Sequence, residues 1–153
     1  MEVANVLTAA TGWIDLGLAD EALVEIESLS KKDQSQSGVL ELKLYAEMEC
    51  QFWNAAADTA KRLCLRDPKD PSYFIHAAFC IHETGDTHAA CQWLLKGPRS
   101  LFKIAIFHYN LACYLWVLGE KKRARSHLQR AIKMDGDLEQ AAREDRDLKG
   151  IDI

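Results

Sequence analysis

The chain has 153 residues, of which 48% are hydrophobic and 27% are charged, and its net charge at pH 7 is −4. This length and composition are typical of one globular domain and exclude a disordered or fibrous chain. Lys and Arg are interspersed with Asp and Glu along the sequence. We therefore expect no concentrated basic face of the kind that binds nucleic acid.

The sequence shows no targeting or membrane signal. Met1-Glu2-Val3 is not a basic segment before an apolar run, and no apolar stretch approaches the roughly 20 residues that span a bilayer. The five cysteines are odd in number and include no Cys-x-x-Cys pair, which favours reduced thiols. These features predict a cytoplasmic protein without membrane insertion.

Alanine recurs at a strict interval of 34 residues, and other residue types recur at fixed offsets from it. Glycine lies five residues before three of the four alanines, and Asp lies eleven residues after three of them. A fixed period in this range is typical of stacked supersecondary units that bury their apolar faces against one another. The four alanines are Ala22, Ala56, Ala90 and Ala124, and the positions five residues before them hold Gly17, Gln51, Gly85 and Gly119.

Each period contains two stretches in which apolar residues recur every three or four positions, the spacing of an amphipathic helix. In chain order, the predicted helix pairs occupy residues 3–36, 37–70, 71–104 and 105–136. In the last pair, Leu111, Ala112, Leu115 and Leu118 predict a first helix with one buried stripe. Residues 137–151 predict a capping helix with one apolar and one charged side. The predicted fold is a single all-α domain of four stacked helix pairs and this cap.

Several segments resemble the tetratricopeptide repeat (TPR) family: Leu-Arg-Asp-Pro at 65–68, Tyr-Asn-Leu-Ala-Cys-Tyr at 109–114, Leu-Gly-Glu at 118–120, and the alanine series. Glu-Asp-Arg-Asp-Leu at 144–148 is similar to the closing helix of some bacterial members. The resemblance implies an α-solenoid, a right-handed superhelix whose concave groove is lined by the first helix of each pair. It also implies a protein or peptide as the partner.

Two repeats depart from the family pattern. The second has Gln51 where glycine is usual, and Lys43 and Glu47 where apolar residues are expected. Shifting its first helix by two residues would place Tyr45 and Ala46 at the packing positions, so both frames stay open. The third ends in Gly97-Pro98 rather than Asp-Pro, which predicts a distorted exit loop.

The resemblance places the groove-lining residues thirteen, ten, six and three positions before each turn. Most of them are apolar or aromatic, the side chains that anchor protein interfaces. We therefore expect them to be exposed and to bind an apolar peptide or helix, with Phe79 and Trp116 as central contacts. The alternative is that they pack on one another or on the terminal segments. The predicted groove residues are Leu7, Thr11, Ile14, Tyr45, Met48, Ile75, Phe79, His82, Tyr109, Cys113 and Trp116.

No catalytic or metal-binding motif stands out. Histidines and cysteines crowd the third repeat without a compact ligand spacing, and no histidine is placed to activate Cys113. A glycine-rich phosphate loop is also lacking. The crowded residues are His76, Cys80, His82, His88 and Cys91.

The sequence thus predicts a non-enzymatic adaptor that binds an apolar segment of a protein partner, without cofactor, metal or nucleic acid. Two alternatives stay open: a secretion-type chaperone for an export substrate, and a structural module that acts through homo-oligomerisation, for example as a homodimer.

Overall fold

The computed structural model describes residues 2–153, and this part of the chain is helical with no strand. No helix in it is long and apolar enough to cross a membrane. Two 3₁₀ helices, Arg99–Lys103 and Arg146–Leu148, accompany the α-helices. The α-helices are α1 (Val3–Asp15), α2 (Ala19–Glu27), α3 (Lys31–Gln34), α4 (Ser37–Glu49), α5 (Trp53–Arg66), α6 (Pro71–Glu83), α7 (Thr87–Leu95), α8 (Ala105–Val117), α9 (Lys121–Met134) and α10 (Leu138–Glu144).

The predicted all-α class and its helix pairs are confirmed: α1 packs on α2, α4 on α5, α6 on α7 and α8 on α9. The chain divides into two compact units, of which unit 1 ends at Pro68 and unit 2 comprises Lys69–Ile153. Unit 1 contains the first two pairs, and unit 2 contains the other two and α10. That the four repeats act as one domain stays a prediction.

Each pair turns at a residue in the left-handed region of backbone conformation. The φ angles are 77° at Gly17, 98° at Gly85 and 87° at Gly119, and Gln51 takes the same position with a φ of 58°. Glycine adopts this conformation without strain, whereas a residue with a Cβ does so at a cost. Gln51 therefore makes the turn of the second pair at the position that the unshifted 34-residue period requires.

Burial within α4 also decides between the two frames of the second repeat. Ala46 is completely buried, but Tyr45 is 52% exposed, so the shifted frame, which packs Tyr45 in the core, is wrong. Alanine in the second helix of every pair is confirmed as a packing position. Ala22, Ala56, Ala90 and Ala124 are each 0% exposed.

The third pair leaves through a segment that differs from the other exits, as its sequence predicts. Gly97-Pro98 leads into the 3₁₀ helix Arg99–Lys103, and Leu101 within it is only 1% exposed. A Cβ at position 97 would lie 2.2 Å from Leu101 Cδ1 and 3.0 Å from Phe74 Cγ. A side chain at position 97 would therefore force Leu101 or Phe74 to shift.

Helix α8 has no single buried stripe, in contrast to the sequence prediction. All residues from Phe107 to Trp116 are buried except Asn110, which is half-buried, while Leu118 at the end of the helix is 39% exposed. The reason is that α8 packs against α6, α7, α9, Arg99–Lys103 and the C-terminal 3₁₀ helix. These neighbours cover it on several sides.

Candidate functional site

The predicted groove residues lie on the first helices of the pairs. Those on α1 and α4 belong to unit 1, and those on α6 and α8 belong to unit 2. We call the surface of α1 and α4 the first-helix face of unit 1, and that of α6 and α8 the first-helix face of unit 2. In unit 1, Thr11 is exposed, and Leu7, Ile14 and Met48 are half-buried. Tyr45, at 52% exposure, is the most accessible aromatic residue of the predicted set.

The first-helix face of unit 1 contains an open depression with a volume of about 380 Å³. The Thr11 hydroxyl donates a hydrogen bond to the Leu7 carbonyl at 2.7 Å, so this polar group is satisfied within its own helix. The wall is consequently apolar except for one carboxylate. The lining residues are Leu7, Thr11, Gly38, Glu41, Leu42 and Tyr45.

The first-helix face of unit 2 is largely covered by the chain itself. Tyr109 is 7% exposed, Cys113 4% and Trp116 8%, so the expectation that these three residues are exposed is wrong. Residues 145–150, which we call the C-terminal segment, lie on α8 and reach α6. Ile75, Phe79 and His82 on α6 stay half-buried.

The first aspartate of the C-terminal segment contacts α8. The Tyr109 hydroxyl donates to Asp145 Oδ2 at 2.8 Å, and Cys113 Sγ lies 3.8 Å from the same oxygen. Burial and this carboxylate both raise the pKa of Tyr109, and burial followed by the nearby carboxylates raises the pKa of the Cys113 thiol. Both groups therefore stay protonated at neutral pH, and Cys113 lacks the thiolate that nucleophilic chemistry requires.

The second aspartate contacts α6. Asp147 Oδ2 lies 2.8 Å from His82 Nε2, and His82 Nδ1 lies 2.9 Å from Thr87 Oγ1. Both ring nitrogens of His82 thus have a partner. The imidazole therefore orients the Asp147 carboxylate.

A backbone contact and an apolar anchor complete the arrangement. Trp116 Nε1 donates to the Lys149 carbonyl at 3.0 Å, and Leu148 is 2% exposed. Gly150, with a φ of 89°, lies over the indole, where a Cβ would be 3.9 Å from Cζ2. The Lys121 ammonium lies 3.7 Å from the centroid of the Trp116 ring, a cation–π contact.

Sequence reasoning assigned residues 137–151 to a cap and did not identify Asp145, Asp147 and Leu148 as contacts of the predicted groove residues. The alternative stated for the groove residues, that they pack on a terminal segment, holds for Tyr109, Cys113 and Trp116. The signal that could have found these contacts is Asp145-Arg146-Asp147-Leu148, two acidic residues at alternate positions followed by one apolar residue. Such a pattern is too short to continue an amphipathic helix.

The histidines and cysteines of the third repeat do not converge. His76 and His88 are exposed, whereas Cys80 and Cys91 are buried, and His82 is engaged by Thr87 and Asp147. Residues 2–153 hold no group of three or more His, Cys, Asp and Glu side chains arranged for a metal ion.

No protein-family model matches the sequence, and neither does any curated protein. Solved structures do match. The structure described as "MamA MSR-1 C2" gives a TM-score of 0.78 at 14% identity, over 90% of this chain and 79% of that one. TTC0263, a thermophilic TPR protein in Thermus thermophilus, gives a TM-score of 0.66 at 19% identity, over 88% of this chain and 75% of that one.

The chain therefore has the tetratricopeptide repeat fold, an α-solenoid class of helix pairs, as its repeat pattern predicts. The match extends over nearly the whole chain, including both units. At these sequence identities the likeness concerns the fold, and the binding chemistry has to come from the side chains of this chain.

Proposed function

We propose that this chain is a non-enzymatic protein-binding module that holds an apolar peptide or helix of a partner on its first helices. The TPR fold supports this function, because folds of this class present the first helices of their repeats as binding surfaces. The observation that carries the proposal is Tyr45, an aromatic side chain that is 52% exposed at the rim of an apolar depression.

The chemistry of the depression defines the partner that it fits. Leu7 and Leu42 offer apolar surface, Tyr45 offers a large side chain with few rotamers to lose, and Glu41 contributes the only carboxylate in the wall. An aliphatic or aromatic side chain of the partner would bury apolar area there. Buried apolar area of this kind is the main source of affinity in such interfaces.

The experiment that tests this function compares two charge insertions. Tyr45→Glu places a carboxylate in the depression, and Leu65→Glu places one on α5, at a side chain that is 78% exposed. Each tagged variant and the wild type is used for affinity purification from native lysate, and recovered proteins are quantified by mass spectrometry after circular dichroism has verified folding.

We expect at least one protein to be recovered with wild type and Leu65→Glu and lost with Tyr45→Glu. Equal recovery with all three proteins would contradict the assignment of the first-helix face. Light scattering of the purified chain at micromolar concentration tests for self-association. A dimeric mass that Tyr45→Glu converts to a monomer would show that the first-helix face of unit 1 binds a second copy of the chain.

A further inference from the structure

The C-terminal segment contacts the first-helix face of unit 2 at every second residue. The Asp145 carboxylate accepts from Tyr109, the Asp147 carboxylate pairs with His82, and the Lys149 carbonyl accepts from Trp116. Arg146–Leu148 forms a 3₁₀ helix within this segment. Polar contacts on both sides of an apolar anchor are a usual way in which a protein surface recognises a short peptide.

The residue between the last two contacts supplies the apolar anchor. Leu148 is 2% exposed, whereas Arg146, Lys149 and Gly150 are exposed. Gly150 is suited to its place because its φ of 89° strains any residue with a Cβ. The segment that lies on this face therefore has the pattern Asp-x-Asp-Leu-x-Gly.

One buried polar group on α8 is left without a partner beside these contacts. The Tyr114 hydroxyl is buried and has no hydrogen-bond partner in residues 2–153, although its ring lies 4.9 Å from the His82 ring. A buried hydroxyl without a partner is unfavourable. A ligand that also offers an acceptor to Tyr114 would gain a hydrogen bond that residues 145–150 do not make.

Few apolar side chains hold the C-terminal segment in place. Leu148 is the only apolar side chain of residues 145–150, and the open depression of about 460 Å³ at the chain end is lined only by residues between Ala142 and Ile153. Hydrogen bonds and one buried leucine hold the segment, a combination that favours exchange with a competing peptide over permanent burial.

We propose that the first-helix face of unit 2 is a binding site for an Asp-x-Asp-Leu-x-Gly segment of a partner protein, and that residues 145–150 are its built-in competitor. The proposal rests on the proposed function and names the chemistry of one partner. While the C-terminal segment is seated, the affinity for a partner is reduced in proportion to the fraction of molecules with an open site.

The test is a titration of the full-length protein with a fluorescein-labelled peptide of the sequence Asp-Arg-Asp-Leu-Lys-Gly-Ile, which copies residues 145–151. Anisotropy measures binding to wild type and to Leu148→Ala, which removes the anchor from the competing segment and leaves the site intact. We expect Leu148→Ala to bind the peptide about 10-fold more tightly than wild type does.

Two control peptides separate recognition from non-specific adhesion. One replaces both aspartates by asparagine, and the other has the same composition in a different order. Both should bind Leu148→Ala at least about 10-fold more weakly than the copied sequence. The asparagines replace charged acceptors of His82 and Tyr109 by weaker neutral ones, and the reordered peptide loses the spacing of the contacts. Equal binding of the reordered peptide, or equal affinity of wild type and Leu148→Ala, would overturn the proposal.

If circular dichroism shows that Leu148→Ala is unfolded, Asp147→Asn in the full-length chain takes its place, since it weakens the contact to His82 and keeps the leucine. A dimeric mass of wild type that either variant converts to a monomer would assign the site to the C-terminal segment of a second copy and exclude an outside partner. Failure of the titration leaves the Tyr45→Glu comparison unaffected, because that comparison concerns unit 1.

Discussion

Glu47 shows how one residue can oppose the pattern around it. It occupies a packing position of α4, is 3% exposed, and has Lys43 Nζ 3.8 Å from Oε1, while Oε2 has no hydrogen-bond partner among the described residues. Burial raises the pKa of the Glu47 carboxyl, and the hydrogen bond with Thr59 and the charge of Lys43 offset this only in part.

The pH dependence of stability follows from the direction of that shift. The folded protein binds the Glu47 proton more tightly than the unfolded chain does, so the free energy of unfolding decreases as the pH rises from about 4.5 through the raised pKa. We expect Glu47→Gln to remove this decrease and to raise the free energy of unfolding at pH 7 by about 1 kcal/mol. Urea denaturation at several pH values measures the free energy of unfolding of both proteins.

Glu49→Gln is the matched control, because Glu49 is exposed near the end of the same helix. It should leave both the stability and its pH dependence close to those of wild type. An unchanged pH profile in Glu47→Gln would show that the buried carboxyl does not limit stability.

At the scale of the helix pair, the turn residues are the positions where one residue type decides the geometry. Gln51 has a φ of 58°, and a left-handed backbone costs a residue with a Cβ about 1–2 kcal/mol, most of which glycine avoids. We expect Gln51→Gly to raise the free energy of unfolding by about 1 kcal/mol. Equilibrium denaturation in urea measures the change.

The reverse substitution at the first turn is the companion experiment. A Cβ at Gly17 would have no atom within 4 Å, so Gly17→Ala introduces backbone strain without a clash. It should lower the free energy of unfolding by about 1 kcal/mol. If backbone conformation is the cause, the free energy of unfolding must rise in Gln51→Gly and fall in Gly17→Ala.

The exit of the third pair depends instead on the close approach of the Leu101 side chain to Gly97. We expect Gly97→Ala to lower the free energy of unfolding by about 1–3 kcal/mol, because its Cβ would lie 2.2 Å from Leu101 Cδ1. Thermal denaturation provides the measurement. Gly12→Ala in α1, where a Cβ would have no atom within 4 Å, is the control and should be neutral or stabilising. A neutral Gly97→Ala would mean that Leu101 moves aside at no cost.

At the scale of the whole molecule, the two first-helix faces differ in the chemistry of their contacts. The face of unit 1 is apolar with one carboxylate in its depression, whereas that of unit 2 contacts two aspartates through Tyr109 and His82. Salt screens exposed charges and leaves apolar burial almost unaffected.

We therefore expect partner binding through the face of unit 1 to change less than about threefold between roughly 50 and 500 mM NaCl, a range over which ionic contacts weaken clearly. Anisotropy titrations at several salt concentrations measure it. A steep salt dependence of Tyr45-dependent binding would assign that affinity to charge rather than to buried apolar area.

The sequence by itself determined the helix pairs, their turns and their close-packed alanines. Each of these depends on local rules: the 3.6-residue period of a helix, the left-handed conformation that glycine allows, and the small side chain where two helices meet. The prediction for Gly17, Gly85 and Gly119 needed no information about distant residues. Gln51 could make the turn of the second pair because the rest of its repeat stayed in register.

Only the tertiary structure decided which of the predicted groove residues are accessible. Tyr45 and Cys113 both lie six positions before the turn of their repeats, yet Tyr45 is 52% exposed and Cys113 is 4% exposed. The difference comes in part from residues 145–150, which return to α8 from the end of the chain. Exposure depends on which distant segment covers a side chain, and the repeat period, which describes only the spacing within a helix pair, carries no information about that segment.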